Sequence, residues 1–253
     1  MPRKFVWIAI AMLLACGKEP SPETDPKIRV PRNGLVLWLA ADDAQTNPVD
    51  VWQTPGITGA TANAISIAAQ PALVRNARNG HAVVRFDGVD DIMKTTLEFG
   101  RGRMEAATVF AVFSSATDAK SPFRKLYGCD NGGFDPAVGL DDRAETNYGV
   151  FTGGGVIPYF ALTANRYYLT SDVWKWTEFT GYVDGQLKID RLPTTSDTDT
   201  LPNLFLGGTG TVFYEHWQGD IAEVIVYSRA LDDAERRSVE DYLAEKYALT
   251  LNR

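Results

Sequence analysis

The stretch at residues 219–247, GDIAEVIVYSRALDDAERRSVEDYLAEKY, changes from a strand pattern to a helix pattern within a few residues. Its first part, residues 220–227, is an apolar run typical of a buried strand. Asp232 and Glu235 then have the spacing of a capping box, which predicts the start of a helix. Large side chains recur on one face of that helix, at Val239, Tyr242, Leu243 and Tyr247. We expect this amphipathic helix to lie against a sheet and to close the fold.

Short β-type runs, separated by Gly, Asn and Asp clusters, fill the chain upstream of this stretch. The pattern is typical of an antiparallel sandwich and not of alternating strands and helices. The pair Asp184-Gly185 predicts a hairpin turn, since both residues tolerate positive φ. The predicted strands cover residues 34–40, 82–87, 108–114, 123–129, 147–152, 156–161, 174–184, 203–206 and 220–227.

Three blocks of sequence resemble one known family. They are GLVLWLAAD at residues 34–42, NGHAVVRFDGVDD at residues 79–91, and residues 219–235 with the helix that follows. Together they are similar to bacterial laminin-G-like (concanavalin A-like) jelly-roll domains. The resemblance implies an all-β fold over residues 33–253, a two-sheet antiparallel jelly-roll sandwich with the C-terminal helix packed on it. It also implies a concave face that relatives use for glycans or protein partners, and it leaves the activity open.

The first residues have the pattern of a secretory leader. Residues 1–15 begin with basic side chains, continue with the apolar run 5–14, and end in a small residue, which predicts a signal peptide. The sequence LLAC at residues 13–16 resembles the bacterial lipobox, and this resemblance implies a lipid anchor on Cys16. The alternative is an ordinary signal peptide that has a cysteine close to its cleavage site.

Residues 16–32 are predicted to be an extended tether, because four prolines stand among charged residues with almost nothing apolar to pack. We therefore expect a lipid-anchored protein of the bacterial cell envelope. Gly17 stands where an aspartate would be an inner-membrane retention signal, which favours the outer membrane if the organism is Gram-negative. Cys129 would then be the only thiol of the exported chain, and we expect it to be a buried apolar residue.

The charge balance and the residue counts exclude several functions. Twenty-five basic and 32 acidic residues give a net charge of −7, which argues against nucleic acid as the main partner. Two histidines and two cysteines are too few for a zinc site together with a histidine-based catalytic centre.

No motif of an established active site occurs in the sequence. The chain lacks the Glu-x-Asp-x-Glu strand of glycan hydrolases with this fold, the Gln-Ile-His motif of the lyases and the Gly-x-Ser-x-Gly elbow. Asp220 and Glu223 share a predicted strand, but their offset of three residues predicts opposite faces of the sheet. We therefore predict no catalytic residue, with histidines 81 and 216 in structural roles.

Aspartate-rich loops are candidates for calcium, which prefers oxygen ligands. The first loop contains Asp87, Asp90 and Asp91; two weaker ones contain Asp141 with Asp142 and Asp197 with Asp199. None has the spacing of a defined calcium loop. For the first loop, a turn whose aspartates accept backbone hydrogen bonds is the favoured interpretation. We therefore expect no required cofactor, with Ca²⁺ at the first loop as the alternative.

Aromatic side chains are the candidates for ligand binding, because sugars present apolar C–H faces as well as hydroxyls. They are Trp52, Trp174, Trp176 and Trp217, together with Tyr159, Tyr167 and Tyr168. Trp174 and Trp176 are predicted to share one strand face, and the alternative for every ring is a place in the core.

The leading functional hypothesis is that the anchored domain binds a polysaccharide or an envelope protein. Two alternatives stay open: a carbohydrate-active enzyme with a nonstandard active site, and a structural envelope component without a small ligand.

Overall fold

The described chain contains sixteen strands and one α-helix, and it covers residues 29–195, 200–210 and 215–253 of this computed structural model. The helix, α1, is Asp233–Tyr247. The strands are β1 Leu35–Ala40, β2 Val51–Trp52, β3 Ala62–Ala64, β4 Ala72–Arg78, β5 His81–Asp87, β6 Met93–Glu98, β7 Ala107–Ser115, β8 Arg124–Gly128, β9 Ala137–Leu140, β10 Tyr148–Phe151, β11 Val156–Phe160, β12 Tyr167–Trp174, β13 Glu178–Val183, β14 Gln186–Pro193, β15 Asn203–Leu206 and β16 Gln218–Tyr227.

These strands form two antiparallel sheets, which we call the first and the second sheet. The first sheet has the order β14-β13-β12-β7-β16-β5-β4, and β1 also pairs with β16. The second sheet has the order β11-β10-β9-β8-β15-β6-β3-β2. The prediction of an all-β, two-sheet antiparallel sandwich with a C-terminal helix is confirmed.

Strand β7 shows how the first sheet is buried on both faces. Val109, Ala111 and Phe113 belong to the core between the two sheets. Phe110 and Val112 point the other way, into a second apolar cluster between the first sheet and α1. This arrangement explains the nearly continuous apolar run, because a strand covered on both faces does not alternate with polar residues.

Helix α1 begins and packs as its sequence predicts. The Asp232 carboxylate accepts the Glu235 N–H at 2.8 Å, and the Glu235 side chain accepts the Asp232 N–H. The predicted face of the helix, with Val239, Tyr242, Leu243 and Tyr247, is buried in the second cluster. Among the described residues, no helix combines the length and the apolar character needed to cross a membrane.

A β-bulge in β16 corrects the prediction that Asp220 and Glu223 lie on opposite faces. Asp220 pairs with Ser114 and Glu223 pairs with Val112, two positions on the same face of β7. The register shift between Ile221 and Glu223 inserts one extra residue into β16. Because of this extra residue, the side chains of Asp220 and Glu223 lie on the same face of the sheet. Both carboxylates therefore point outward from the first sheet.

Glu223 is fully buried beneath α1, and four donors surround its carboxylate. Trp38 Nε1 of β1 donates at 2.6 Å. From α1, the Tyr242 and Tyr247 hydroxyls donate at 2.9 and 2.7 Å, and Lys246 Nζ lies at 2.7 Å. Burial lowers the pKa of Lys246, but the negative charges around it outweigh burial and raise it. This carboxylate of β16 therefore connects α1 and β1 to the first sheet.

The predicted strand at residues 174–184 is wrong in its extent, because it is two strands and a turn. Trp174 ends β12, and Trp176 has a left-handed backbone with φ 64°. The Lys175 N–H donates to the Glu178 carbonyl, and Trp174 then pairs with Phe179 across the hairpin. The predicted turn at Asp184-Gly185 is confirmed: it joins β13 to β14, with φ 49° and 78°.

The last residues of the predicted tether lie against the folded domain. Val30 is buried in the cluster under α1. The Pro31 carbonyl accepts the Tyr227 hydroxyl at 2.8 Å, and the Arg29 carbonyl accepts the Ser238 hydroxyl at 2.6 Å. Residues 29–32 therefore lie against α1 and β16. Residues 16–28 of the predicted tether lie outside the described residues.

The space between the sheets also contains a buried carboxylate. The Tyr127 and Tyr159 hydroxyls donate to the two oxygens of Asp172 at 2.6 and 2.5 Å. Burial raises the pKa of the Asp172 carboxyl to about 7, although both hydroxyls stabilise its charged form.

We predict that Glu223→Ala lowers the free energy of unfolding by about 3–5 kcal/mol, because it removes the acceptor of three buried donors and leaves the largely buried Lys246 with Asp42 as its remaining carboxylate. Urea denaturation followed by circular dichroism measures this change. The control is Glu98→Ala at an exposed side chain of β6, with an expected change within about 0.5 kcal/mol. Equal effects of the two substitutions would contradict the anchoring role.

We also predict a pH dependence from Asp172. Its carboxyl binds a proton more tightly in the folded protein than at its ordinary value of 3.8, so its contribution to stability falls as the pH rises from about 4 to about 7. Asp172→Asn removes this contribution. The free energy of unfolding of the variant minus that of the wild type is therefore expected to increase from pH 5 to pH 8. Urea denaturation at both pH values measures the difference. The exposed substitution Asp190→Asn serves as the control and should show no such gain.

Candidate functional site

Two grooves lie on opposite outer faces of the sandwich. The larger has a volume of about 640 Å³ and lies on the first sheet beside Asp220; we call it the Asp220 groove. The smaller has a volume of about 300 Å³, lies on the second sheet, and is called the phenylalanine groove. Its lining residues are Phe123, Lys125, Asp130, Gly132, Phe134, Arg143, Phe151 and Glu215.

Strands β9 and β10 belong to the part of the second sheet that carries the phenylalanine groove. Their apolar side chains point into the core, so that Gly139 and Gly149, which pair with each other, face outward. A Cβ at Gly139 would lie 2.0 Å from the Arg124 carbonyl oxygen, so only glycine fits there. Phe151 follows on the same outer face of β10. Of these three residues, Phe151 lines the groove, whereas Gly139 and Gly149 are buried and do not line it.

Lys125 of β8 is held in the phenylalanine groove by one ring and two carboxylates. Its ammonium lies 3.3 Å from the centroid of the Phe151 ring. It also lies 3.2 Å from Asp130 Oδ2 and 3.0 Å from Glu215 Oε2. The Lys125 side chain is 1% exposed, so this charge is fixed in position by its partners.

Arg143 crosses the groove from the loop between β9 and β10. Its guanidinium carbon lies 4.4 Å from the Phe123 ring centroid and 4.8 Å from that of Phe134. Its Nε and Nη2 form a two-pronged pair with the fully buried Asp141, with 2.7 Å between Nε and Oδ1. Phe123 and Phe134 are both half-buried, so each keeps part of a ring surface open to solvent. Phe134 reaches this place with a left-handed backbone, φ 61°.

This arrangement suits a ligand with both apolar and polar faces. The open ring surfaces of Phe123 and Phe134 can pack against C–H groups, and carboxylates beside them can accept hydroxyl donors. A volume of about 300 Å³ is at the lower end of the range of small-molecule sites. The fixed ion pairs hold the polar groups in place before a ligand binds.

The Asp220 groove offers polar groups but little ring surface. Arg85 donates to Asp220 through Nε at 2.7 Å and Nη2 at 3.0 Å, and the Tyr167 hydroxyl donates to it at 2.6 Å. The hydrogen bonds from Arg85 to Asp220 raise the pKa of that guanidinium. The phenylalanine in its lining, Phe86, is buried. For a sugar, this groove lacks the apolar surface that the phenylalanine groove provides.

The loop with Asp87, Asp90 and Asp91 borders the Asp220 groove, and its three carboxylates lie within 4.8 Å of one another. Asp87 Oδ1 accepts the N–H groups of Val89 and Asp90, and Asp91 Oδ2 accepts the Asp87 N–H. Burial raises the pKa of Asp91 to about 6, and the neighbouring carboxylates add to the rise. Backbone N–H groups therefore engage these aspartates as in the favoured turn, and calcium binding stays a prediction.

The other aspartate loops have different places. Asp141 is fully buried and binds Arg143, whereas Asp142 is exposed. Asp197 and Asp199 lie outside the described residues.

The four predicted tryptophans all belong to the core between the sheets, which corrects their assignment to an open platform. Three indole N–H groups donate inside the protein: Trp52 to the Ala40 carbonyl, Trp176 to the Met104 carbonyl and Trp174 to the Tyr127 hydroxyl. Trp174 and Trp217 are completely buried.

The pair Trp174 and Trp176 does not share a strand face, because the turn intervenes, although the two rings stack at 6.4 Å. Tyr159 and Tyr168 are likewise buried, and Tyr167 lies half-buried against Asp220. As the sequence predicts, Cys129 is a buried free thiol, and burial raises its pKa to about 12.

The residues of the phenylalanine groove were not among the predicted site residues. One signal for them is present in the sequence: residues 148–151, YGVF, place Phe151 on the strand face opposite to that of Tyr148 and Val150. A second signal is the phenylalanine beside the glycine pair at residues 132–134. Only the fold brings these segments together with residue 215.

Comparison of the sequence with protein-family models and with curated proteins gives no match. Comparison of the structure gives several solved proteins with low sequence identity. Trypanosoma rangeli sialidase, solved with the inhibitor DANA, superimposes with a TM-score of 0.61 and 17% identity. The match covers 83% of this chain and 33% of the sialidase, so the chain spans about a third of that protein's length.

Two further solved structures cover more of their own length. Domain 4 of an extracellular arabinanase from Geobacillus stearothermophilus, solved with arabinotriose, has a TM-score of 0.59 and 13% identity over 82% of this chain and 97% of that domain. The Botulinum neurotoxin serotype D binding domain has a TM-score of 0.56 and 11% identity over 87% of this chain and 53% of its own. At such identities, the comparisons show that the chain has the β-sandwich fold of these proteins.

Proposed function

We propose that this protein is an envelope lipoprotein whose β-sandwich binds carbohydrate in the phenylalanine groove. The observation that carries the proposal is the pair of half-buried rings, Phe123 and Phe134, which lie within 4.8 Å of the Arg143 guanidinium carbon and line one groove with the carboxylates of Asp130 and Glu215. Sugars need both kinds of surface, because their rings present C–H faces between hydroxyl groups.

The rigidity of the groove supports binding. Lys125 and Arg143 are each held by carboxylates and by aromatic rings, so few side chains have to be ordered when a ligand arrives. Binding sites that are already ordered lose less conformational entropy on association.

The solved neighbours are in keeping with this proposal. One of them is an arabinanase domain in complex with arabinotriose, and another is a sialidase solved with sialic acid. Their likeness to this chain is one of fold, and the groove carries the argument for carbohydrate here.

The anchor forms the second part of the proposal. A diacylated Cys16 with an acylated amine would attach the chain stably, since more than one acyl chain is needed for lasting membrane association. The chain enters the domain at residues 29–31, against α1 on the outer face of the first sheet. Residues 17–28 can span up to about 40 Å when extended. The phenylalanine groove lies on the opposite sheet, so the anchor would leave it accessible, at the outer membrane if the organism is Gram-negative.

We expect Phe134→Ala and Phe123→Ala each to weaken glycan binding about tenfold or more, because each removes a ring surface that packs against a sugar. A glycan array of the full-length protein in detergent identifies the ligand, and isothermal titration calorimetry then measures both variants. Ile67→Ala, at a residue that is 87% exposed and outside the groove, is the control and should bind like the wild type.

Full binding by both phenylalanine variants would place the glycan elsewhere and contradict the proposal. Silence of the wild type on the whole array would also contradict it. Turnover of a polysaccharide, abolished by one carboxylate substitution, would favour an enzyme instead.

For the anchor, we expect metabolic labelling with palmitate to mark the wild type and not Cys16→Ala, because the thiol is the proposed acceptor of the lipid. Cys129→Ala is the matched control and should label fully, since that thiol is buried in the domain. Equal labelling of Cys16→Ala and the wild type would exclude Cys16 as the lipidated residue.

A further inference from the structure

The charges in the phenylalanine groove restrict the class of glycan that fits it. The positive charge of Lys125 is already balanced by carboxylates and is not available to an incoming anion. Two carboxylates and the face of the Phe151 ring surround its ammonium within 3.3 Å, and the side chain is buried. An anionic sugar could reach this ammonium only by displacing Asp130 or Glu215.

Arg143 is compensated in the same way. Asp141 occupies two of its three guanidinium nitrogens, and it is itself fully buried, so the pair is not free to separate. Phe123 and Phe134 lie within 4.8 Å of the guanidinium carbon. The two rings cover part of this side chain, which stays 40% exposed, and its charge is balanced by the buried Asp141.

The balance of formal charge in the groove is negative. Two cations, Lys125 and Arg143, stand against three carboxylates, those of Asp130, Glu215 and Asp141, which leaves 2 − 3 = −1. Like charges placed together in a partly desolvated site repel strongly and exclude wrong partners. The carboxylates can, however, accept hydrogen bonds from hydroxyl groups.

On the basis of the proposed function, we infer that the phenylalanine groove takes a neutral glycan and excludes sugars that bear a carboxylate. The C–H face of one sugar ring packs against Phe134 or Phe123. Its hydroxyls donate to Glu215, because both oxygens of the buried Asp130 already accept hydrogen bonds inside the protein. A uronic acid or sialic acid in the same place brings its carboxylate against theirs. The selectivity therefore comes from repulsion, with the aromatic contact common to both classes.

The test uses the full-length protein in detergent and matched pairs of oligosaccharides. Each pair consists of a neutral oligosaccharide and the same oligosaccharide carrying a uronic acid or a sialic acid. At 0.15 M salt we expect the acidic member of each bound pair to bind at least tenfold more weakly. Raising the salt from 0.05 to 0.5 M should reduce the difference in affinity between the neutral and the acidic member, because salt screens the repulsion. We call this difference the gap.

Glu215→Gln tests the cause of the selectivity. It leaves Lys125 with one carboxylate and brings the groove to 2 − 2 = 0, so the gap between neutral and acidic members should shrink at least threefold. The exposed substitution Glu98→Gln is the control and should leave the gap unchanged. Circular dichroism checks the fold of both variants, and the salt series on the wild type gives an independent measure.

The outcomes separate this inference from the function on which it rests. Tighter binding of the acidic members, lost in Phe134→Ala, would overturn the neutral class and leave glycan binding at the groove intact. A gap that responds neither to salt nor to Glu215→Gln would overturn repulsion as its cause. Absence of binding to every glycan would overturn the proposed function, and this inference with it.

Discussion

The Glu223 carboxylate lies between the first sheet and α1 with no contact to water, and it must find all its hydrogen bonds inside the protein. Its donors come from β1 and from three positions on α1, so the buried charge is satisfied only when both elements are docked. The bulge in β16 turns the side chain to this outer face. The helix therefore has one place to dock, and it covers the first sheet around Glu223.

Helix α1 and the start of the domain cover the first sheet around Glu223, and the Asp220 groove on the same sheet offers little ring surface. The outer face of the second sheet carries the phenylalanine groove. There the buried charge of Lys125 is balanced in another way, and so is the charge of Arg143, whose side chain is 40% exposed. Lys125 and Arg143 are neutralised by neighbouring carboxylates and supported by aromatic rings, and Phe123 and Phe134 keep open surface. The groove is thus rigid, aromatic and slightly negative, which suits an uncharged, hydroxyl-rich ligand.

Local rules predict much of this fold from the sequence. The capping box at Asp232 needs only two residues, and the run in β7 needs only its apolar composition, so both predictions are confirmed. The bulge at β16 escapes such rules, since one inserted residue reverses the alternation and moves Glu223 to the other face. The groove escapes them too, because it joins Lys125, Phe134 and Glu215 through loops whose paths depend on tertiary contacts. The assignment of the tryptophans to a ligand platform is wrong, because large aromatic side chains occur in protein cores as well as in binding sites.

The central claim is that a glycan binds on the second sheet, in the phenylalanine groove. The most direct measurement is an NMR titration of the full-length protein in micelles with a neutral oligosaccharide selected on the glycan array, followed through backbone amide signals. The account predicts chemical-shift changes at Phe123, Gly132, Phe134 and Arg143, which line the phenylalanine groove, with the signals of Gly88 and Gln218 beside the Asp220 groove unmoved. Changes confined to Gly88, Gln218 and their neighbours would contradict it.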